Sequence, residues 1–435
     1  MTEEAIRVRT EKQKPALPDR LLARPYIYLV FVLLAVQVNN LKKAEQAVYG
    51  WLGYPAGFPF LRVLLWLLCA GMIGLYLWRL VRGDVSRRPG MVLLLLAMHG
   101  VLILMTLVYG GASGYWLHWV TALSLMLALE MGLQREKQSV LEGFSLALAL
   151  WLCLNLPVRL LVPWGLNGPD SNPLFVPEWL LGSRVTYYRV AFPALGLEMI
   201  RSQMRHGRYT LRTLAVFLLV AVTVALHRGA TALMGYAVLL GMLAAFSCRA
   251  LPRYATPAAM LGVSAALFIA VQFLHVQYLF TPLLERGLGK DATLNLRTEI
   301  WTEALKVIRN YPLTGVGLLP VSYLQQLFHA TAEAPFNHTH NQILEIWMHG
   351  GLLALAPFLG MVALASRQAL RFRQSAAVKT AAVLLMAFLF MGTVEIFHND
   401  ALYYPLFVLL ARADCLQAPA RQLPCMSFRR RIARR

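Results

Sequence analysis

Two histidines stand two positions apart in the segment FNHTHNQILEIWMHGG, where a mostly polar stretch gives way to an apolar run. Thr339 or Asn337 suits the N-cap of the helix that follows, which would leave His338 just outside the helix and His340 in its first turn. The positive end of a helix disfavours a protonated imidazole, so we expect neutral rings near pH 7. A neutral imidazole beside a substrate hydroxyl can act as a general base. Capping or interfacial histidines are the alternative that these residues alone leave open.

The same His-x-His pair also suits a metal ion, which needs a third ligand at a compatible position. The sequence shows no such ligand with suitable spacing, and the outer connections lack a carboxylate pair of the DxD type. We therefore expect no metal ion and no other cofactor.

Four arginines lie between apolar runs or at their ends. Arg228 lies in ALHRGAT, Arg184 and Arg189 lie in GSRVTYYR, and Arg297 lies near the start of NLRTEIWTEALKVIRNYP. In this last segment Arg297 falls on the apolar helical stripe, four residues before Trp301. Guanidinium groups match phosphate oxygens bidentately and stay charged, so the four arginines are candidate ligands for a dianion. Each of them, taken singly, also suits an interfacial anchor.

The elements that must position these side chains are apolar. Of the 435 residues, 58% are hydrophobic and 14% are charged, whereas soluble domains average roughly 45–50% and 25%. The sequence therefore predicts an all-α, polytopic membrane protein, with residues 1–435 forming a single integral membrane domain. It predicts about twelve transmembrane helices, at about residues 24–40, 58–80, 90–109, 114–133, 139–162, 186–203, 209–226, 230–248, 255–275, 341–366, 376–397 and 400–412.

In a soluble protein, the net charge of +20 would suggest nucleic-acid binding. The distribution of the positive residues along the chain decides between nucleic acid and a membrane as the partner. When alternate connections are assigned to opposite sides of the membrane, 29 of the 41 Lys and Arg residues fall on one side. Such an excess marks the cytoplasmic side, which places both termini inside and the histidines outside. Residues 1–23 and 413–435 would then be basic cytoplasmic tails near anionic lipid headgroups. Membrane lipids, and not nucleic acid, are the expected partners.

One outer connection, residues 276–340, is far longer than a turn, and loops of that length are usually functional. It contains the amphipathic segment of Arg297, which predicts a helix that ends at Tyr311 and Pro312 and a glycine turn after it. We expect this partly helical loop, between the ninth and tenth spans, to form part of the active site.

Taken in order, SRVTYYR, HRGA, LRTEIWTEALKVIRNYPLTGVG and HTHNQILEIWMHGGLLAL resemble the superfamily of O-antigen ligases and polymerases, which are membrane glycosyltransferases. The resemblance covers about residues 180–360 and the twelve-span layout. Its most specific part is the Arg-x-x-x-Trp segment leading to a His-Asn pair, here His340 and Asn341.

Two positions depart from the pattern of the family. Ala354 stands where the ligase motif often has Gly, Thr or Tyr, and His227 stands where a serine often precedes the arginine that matches Arg228. These differences bear on the choice between ligase and polymerase.

The resemblance implies glycan transfer at the periplasmic face of a bacterial inner membrane. A glycan on undecaprenyl diphosphate would pass to a hydroxyl of lipid A-core, which completes lipopolysaccharide. Without a metal, the arginines would neutralise the departing diphosphate, and His338 or His340 would take the proton of the acceptor hydroxyl. Asn341 and His227 would support the site.

Other functions stay open at this stage. An O-antigen polymerase or a protein O-oligosaccharyltransferase would use the same chemistry, and a lipid-linked glycan transporter or a membrane scaffold would use none. The acidic residues of the apolar runs lie mostly near the ends of the runs, which disfavours a proton-coupled pump; they are Glu130, Glu142, Glu198, Glu345 and Glu395.

Overall fold

A computed structural model describes residues 23–36, 60–83, 90–109, 111, 116–166, 177–247, 255–281, 296–328 and 338–417. Within these ranges the chain is helical apart from turns, loops and one small hairpin, in which Glu178–Trp179 pairs antiparallel with Gly182–Ser183. The predicted tail at residues 1–23 lies almost wholly outside the described residues. The same holds for the predicted tail at 413–435 beyond residue 417.

The described residues contain fourteen α-helices in addition to a short 3-10 helix, Val276–Phe280. In chain order they are α1 Pro25–Val36, α2 Phe60–Val81, α3 Gly90–Val108, α4 Trp116–Arg135, α5 Lys137–Leu161, α6 Tyr188–His206, α7 Leu211–His227, α8 Ala230–Ser247, α9 Pro257–Gln272, α10 Arg297–Asn310, α11 Val321–Leu327, α12 Gln342–Arg371, α13 Ala376–Met391 and α14 Tyr403–Ala411. Helices α10 and α11 lie in the long predicted loop. Each of the other twelve overlaps one of the twelve predicted spans.

The helices are those of an integral membrane protein. Among the described residues, α2, α3, α5 and α12 are long and apolar enough to cross a bilayer, and α1, α7, α8, α9 and α13 are shorter apolar helices. Large apolar side chains on the outer helices, such as Leu67, Leu104 and Leu218, are more than half exposed, as a lipid-facing surface requires. The number of twelve spans stays a prediction.

The innermost elements are α6, α13 and α14, in which nearly every residue is buried. Helix α6 packs against α13, and α12 packs against α3 and α14. The backbone N–H of Gln342 donates to the carbonyl of Gly392 over 2.8 Å, so α12 begins where α13 ends. This end of the bundle, where α6 also begins, carries the histidines.

The amphipathic segment of the long loop is helical, as predicted. Helix α10 buries Ile300, Trp301, Ala304 and Ile308 on one face and packs against α12. It ends at Asn310, again as predicted from the residues that follow it.

The predicted glycine turn joins α10 to α12. Gly315 and Gly317 have φ of 63° and 70°, a left-handed conformation that only glycine adopts at little cost. The turn is held by α12, because Val316 N–H donates to Met348 O over 3.0 Å and Gly317 N–H donates to His349 O over 2.8 Å.

Helix α12 is interrupted within one turn of this contact. Gly351 has φ 61° and ψ −164°, which frees the next backbone N–H groups from the helix. They find acceptors in the chain after α10: Leu352 N–H donates to Pro312 O over 2.9 Å and Leu353 N–H to Leu313 O over 3.1 Å. The N–H groups of Leu352 and Leu353 are therefore bonded despite the break.

Candidate active site

Helix α12 has Asn341 as its N-cap. The side-chain oxygen of Asn341 accepts from Ile343 N–H over 3.0 Å and from Leu344 N–H over 3.1 Å. The prediction of Thr339 as the cap is thus wrong, and Asn337 lies outside the described residues. Both histidines precede the helix, so placing the second of them in the first turn is also wrong.

Thr339 does not cap the helix because its polar groups are used to hold the loop. Its N–H donates to Glu345 Oε2 over 2.8 Å, its Oγ1 donates to Asn341 O over 2.9 Å, and its carbonyl accepts from Trp301 Nε1 over 2.9 Å. His340, the next residue, has a positive φ of 52°. Such a backbone costs about 1–2 kcal/mol, so the surrounding bonds must impose it.

The two imidazoles lie against each other. The ring centroids of His338 and His340 are 4.0 Å apart with a tilt of 46°, and Nδ1 of His340 lies 3.8 Å from Oε1 of Glu395. Burial and then the electrostatic effect of the adjacent His340 ring lower the pKa of His338 to about 3, against the opposing effect of Glu345 and Glu395. His338 is therefore neutral at physiological pH.

Glu395 reaches the histidines because α13 is shorter than predicted. The sequence predicts a span to residue 397, whereas the helix ends at Met391. The chain after it bonds to the start of α12: the carbonyl of Gly392 accepts from Gln342 N–H over 2.8 Å, and Phe397 N–H donates to Gln342 Oε1. Glu395 thus lies in an irregular connection, outside any helix.

Two guanidinium groups meet on Glu395. Nη2 of Arg297 lies 3.2 Å from its Oε1, and Nη2 of Arg189 lies 4.0 Å from its Oε2. Burial would raise the pKa of Glu395, but its contact with His340 and the charges of the two arginines outweigh burial and lower the pKa to about 2. Arg189 Nε also lies 3.9 Å from Asp400 Oδ2, so two cations face two acidic groups.

The expectation that no third ligand meets the His-x-His pair is wrong. His338, His340 and Glu395 each place one ligand atom within 4.8 Å of the others. The three side chains are a candidate metal site by geometry. Because Arg189 and Arg297 already neutralise the carboxylate, the electrostatics of the cluster disfavour a divalent cation.

Arg228 and Arg184 form a second pair at the same end of the bundle. Arg228 is the C-cap of α7 with φ 49°, and both side chains are exposed. Gly229 lies so close to the carbonyl of Arg184 that a Cβ would come within 2.3 Å of its oxygen. Within the described residues, neither arginine makes an ion pair. The structure therefore groups Arg189 and Arg297 with the histidines and leaves the other two beside that cluster.

His227 is a packing residue in this arrangement. It is 5% exposed, stacks on Tyr187 at 4.3 Å between ring centroids, and meets the edge of Trp179 at 5.1 Å. Its Nδ1 lies 2.8 Å from Thr223 O. It joins the end of α7 to the start of α6, and so supports the position of Arg189 indirectly.

A buried pair, Glu345 and His349, fixes the histidine loop, residues 338–341. Glu345 Oε1 lies 3.3 Å from Nε2 of His349, whose Nδ1 lies 2.5 Å from Gly317 O. Since a carbonyl only accepts, Nδ1 carries a hydrogen, and the contact at Nε2 needs a further proton shared with the carboxylate. Glu345 also accepts from Thr339 N–H. This pair thus links the histidine loop to the glycine turn.

The sequence predicts the histidines and arginines of this cluster but not Glu395 as their partner. The only sign of it in the sequence was a glutamate near the end of an apolar run. Glu395 lies in the site because α13 ends before it is reached.

The O-antigen ligase family model matches residues 213–359, from α7 to the second half of α12. The match includes Arg228, Arg297, His338 and His340, whereas Arg189 and Glu395 lie outside it. No curated protein matches the chain. Members of the family are membrane glycosyltransferase-like enzymes, ligases and polymerases, and their substrates are lipid-linked glycans. The match, over residues 213–359, supports the resemblance to the O-antigen ligase superfamily.

Proposed function

We propose that the protein is an O-antigen ligase. It transfers a glycan from undecaprenyl diphosphate to a hydroxyl of lipid A-core at the periplasmic face of a bacterial inner membrane. The observation that carries this proposal is the meeting of two guanidinium groups and the His340 imidazole on Glu395, with the His338 ring against His340. Because both substrates of such a ligase are carried on lipids, its site is expected at the end of the helix bundle, close to the membrane surface.

Arg297 and Arg189 hold the diphosphate leaving group. A guanidinium has five N–H donors, and the ion pair of Arg297 with Glu395 uses only Nη2. Nε of Arg189 is buried and has no hydrogen-bond partner among the described residues. Both side chains thus keep donors for phosphate oxygens. The exposed pair, Arg228 and Arg184, extends the positive surface beside them.

Asp400 is the second acidic group at Arg189, with its Oδ2 3.9 Å from Nε of the arginine. Burial raises the pKa of Asp400, although Arg189 and the N–H of Leu402 oppose the shift. In the proposed reaction, a phosphate oxygen would compete with Asp400 for the Arg189 guanidinium.

His340 is the general base of the proposed reaction. Glu395 faces Nδ1, so Nε2 is left to accept the proton of the acceptor hydroxyl, and the carboxylate stabilises the imidazolium that forms. The hydroxyl oxygen bonds to the anomeric carbon while the bond from that carbon to the diphosphate oxygen breaks. The electron pair leaves with the diphosphate, and the configuration inverts. His338, neutral beside the base, is the second candidate.

The proposal requires no metal ion, because guanidinium groups supply the positive charge at the leaving group. We expect EDTA to leave transfer unchanged. Strong inhibition that a divalent ion restores would contradict this, and would point to His338, His340 and Glu395 as ligands.

Reconstituted transfer tests the assignment. Purified protein, lipid-linked glycan and rough-type lipopolysaccharide are combined in detergent, and the product is followed on gels. We expect His340→Ala to lose about 10²–10⁴-fold in rate, whereas His275→Ala, which changes an exposed histidine immediately before the long loop, keeps the rate. Full activity in His338→Ala, His340→Ala and the double variant would refute a histidine base.

Polymerisation is the second candidate, since the family match includes polymerases. A deletion strain separates the two reactions: loss of a ligase leaves the core bare, whereas loss of a polymerase leaves single repeat units on it. A transporter would instead move the lipid-linked glycan across liposomes and tolerate loss of both histidines.

A further inference from the structure

A basic cavity lies at the end of the bundle away from the histidines. It is open to the surface, has a volume of about 790 Å³ and is lined by the end of α6, the end of α12, the start of α13 and the residues after α14. Arg205, His206, Arg371, Gln374 and Ser375 are among its lining residues. None of the described lining residues is acidic.

The length of α6 places this cavity at the other membrane surface. The helix has 19 residues and runs from Tyr188, next to Arg189, to His206. At 1.5 Å per residue it spans about 28 Å, close to the hydrocarbon thickness of a bilayer. The candidate active site and the cavity therefore face opposite leaflets.

The positive charge around the cavity is only partly neutralised. Arg205 lies 3.4 Å from Glu142, but Arg201 also contacts this carboxylate at 3.1 Å, as does Arg212. With buried Glu198 included, three guanidinium groups share two carboxylates. A positive excess remains at the cavity wall.

Arg371 adds a further positive charge at the end of α12. Its guanidinium lies 5.3 Å from the ring centroid of Phe372. It makes no ion pair within the part of the chain that the structure describes.

The lining combines these cations with amides, a hydroxyl and apolar side chains such as Met204 and Leu416. A phospholipid headgroup with its glycerol offers the complementary groups. Its phosphate suits the cations, its polar oxygens suit the amides and the hydroxyl, and the start of its acyl chains suits the apolar side chains. Basic cavities between transmembrane helices at a membrane surface are typical anionic-lipid sites. The chain after Gln417 carries the sequence RRRIARR. Its positive charge would be repelled by the basic lining, so this segment is not the expected occupant of the cavity.

We propose that this cavity binds the phosphate headgroup of an anionic diacyl phospholipid, in the leaflet opposite the candidate active site. The proposal is independent of the glycosyl-transfer function.

Native mass spectrometry of the full chain in detergent tests it. The probes are phosphatidylglycerol and phosphatidylcholine at equal concentration. We expect retention of phosphatidylglycerol by the wild type, and binding weaker by about 30-fold in Arg205→Gln/Arg371→Gln, which loses two cations near the membrane surface. The double variant Arg205→Lys/Arg371→Lys keeps the charge and should retain most of the binding. Arg309→Gln, an exposed arginine near the opposite surface, is the matched control.

Equal retention of phosphatidylglycerol and phosphatidylcholine by the wild type would overturn the proposal. So would unchanged retention of phosphatidylglycerol by Arg205→Gln/Arg371→Gln. Displacement of phosphatidylglycerol by millimolar inorganic phosphate would overturn it in favour of a free phosphate site.

Discussion

Replacing Glu395 with Gln keeps the shape of the side chain and removes its charge. The carboxylate is 6% exposed and lies between Arg297 and Arg189. Its pKa falls from an ordinary 4.5 to about 2. At about 1.4 kcal/mol per pKa unit, the folded state favours the anion by about 3 kcal/mol. Breaking a buried ion pair by removing one partner costs about 3–5 kcal/mol, so we expect Glu395→Gln to lower the free energy of unfolding by about 3 kcal/mol at pH 7.

The pH dependence has a definite sign. Because the pKa of Glu395 is lower in the folded protein than in the unfolded chain, the stabilisation is complete above pH 4.5 and is lost as the pH falls toward about 2. Glutamine does not titrate. The difference in unfolding free energy between the wild type and Glu395→Gln should therefore be constant above pH 4.5 and shrink below it.

Unfolding of the detergent-solubilised chain, followed by tryptophan fluorescence between pH 7 and pH 3, measures this difference. The control is Glu303→Gln, whose carboxylate pairs with the exposed Lys306 at 2.7 Å and should change stability by less than about 1 kcal/mol. The same samples enter the transfer assay, where we expect a loss of about 10²–10⁴-fold in rate for Glu395→Gln. If this variant were as stable as the wild type at every pH, the ion pairs of Glu395 with Arg297 and Arg189 would not stabilise the fold. A loss of stability with an unchanged transfer rate would refute its part in catalysis.

Three further substitutions test separate parts of the site. Arg297→Lys keeps the charge but loses the planar fork, so we expect kcat with the lipid-linked donor to fall about tenfold or more. Gly351→Ala brings a Cβ within 2.1 Å of the carbonyl oxygen of Leu313 at a φ of +61°, so the free energy of unfolding should fall by about 2–4 kcal/mol. Gly241→Ala, whose Cβ meets nothing within 4 Å, is its control in the same unfolding experiment. Glu345→Ala removes the acceptor of a loop N–H, so kcat should fall more than donor KM changes, with partial rescue by Glu345→Gln.

Each of these has an outcome that contradicts it. An equal kcat for Lys and Arg at position 297 would show that charge alone suffices there. Equal stability of the two alanine variants would mean that the break in α12 tolerates a side chain. A change confined to donor KM in Glu345→Ala would place its effect on substrate binding instead of on the histidine loop.

The sequence predicts the helices of this fold well because apolar runs and flanking turns are local signals. The stripe of α10 follows from the spacing of Trp301, Ala304 and Ile308, and the structure confirms it. The N-cap of α12 was misassigned by two residues, since Thr339 and Asn341 are both good caps. Contacts with Trp301 and Glu345, which are not adjacent in sequence, use the groups of Thr339 and leave Asn341 as the cap.

The partner of the histidines lies beyond local signals. The run around Glu395 reads as a continuous apolar span, and only the bond between Gln342 N–H and the carbonyl of Gly392 shows why the helix ends early. Likewise, the sequence presents Arg184, Arg189 and Arg228 as equivalent. Their division into one arginine on the carboxylate and two exposed ones depends on how α6 and α7 meet.

The hydrogen bonds at the Gly351 break join the membrane helix to the outer segment. Leu352 and Leu353 donate to the carbonyls of Pro312 and Leu313, and Trp347 Nε1 donates to Pro312 over 3.0 Å. These bonds fix the chain immediately after α10 to helix α12. If the proposed function holds, the two substrates would meet an arginine and an imidazole whose spacing these contacts help to set before either substrate is bound.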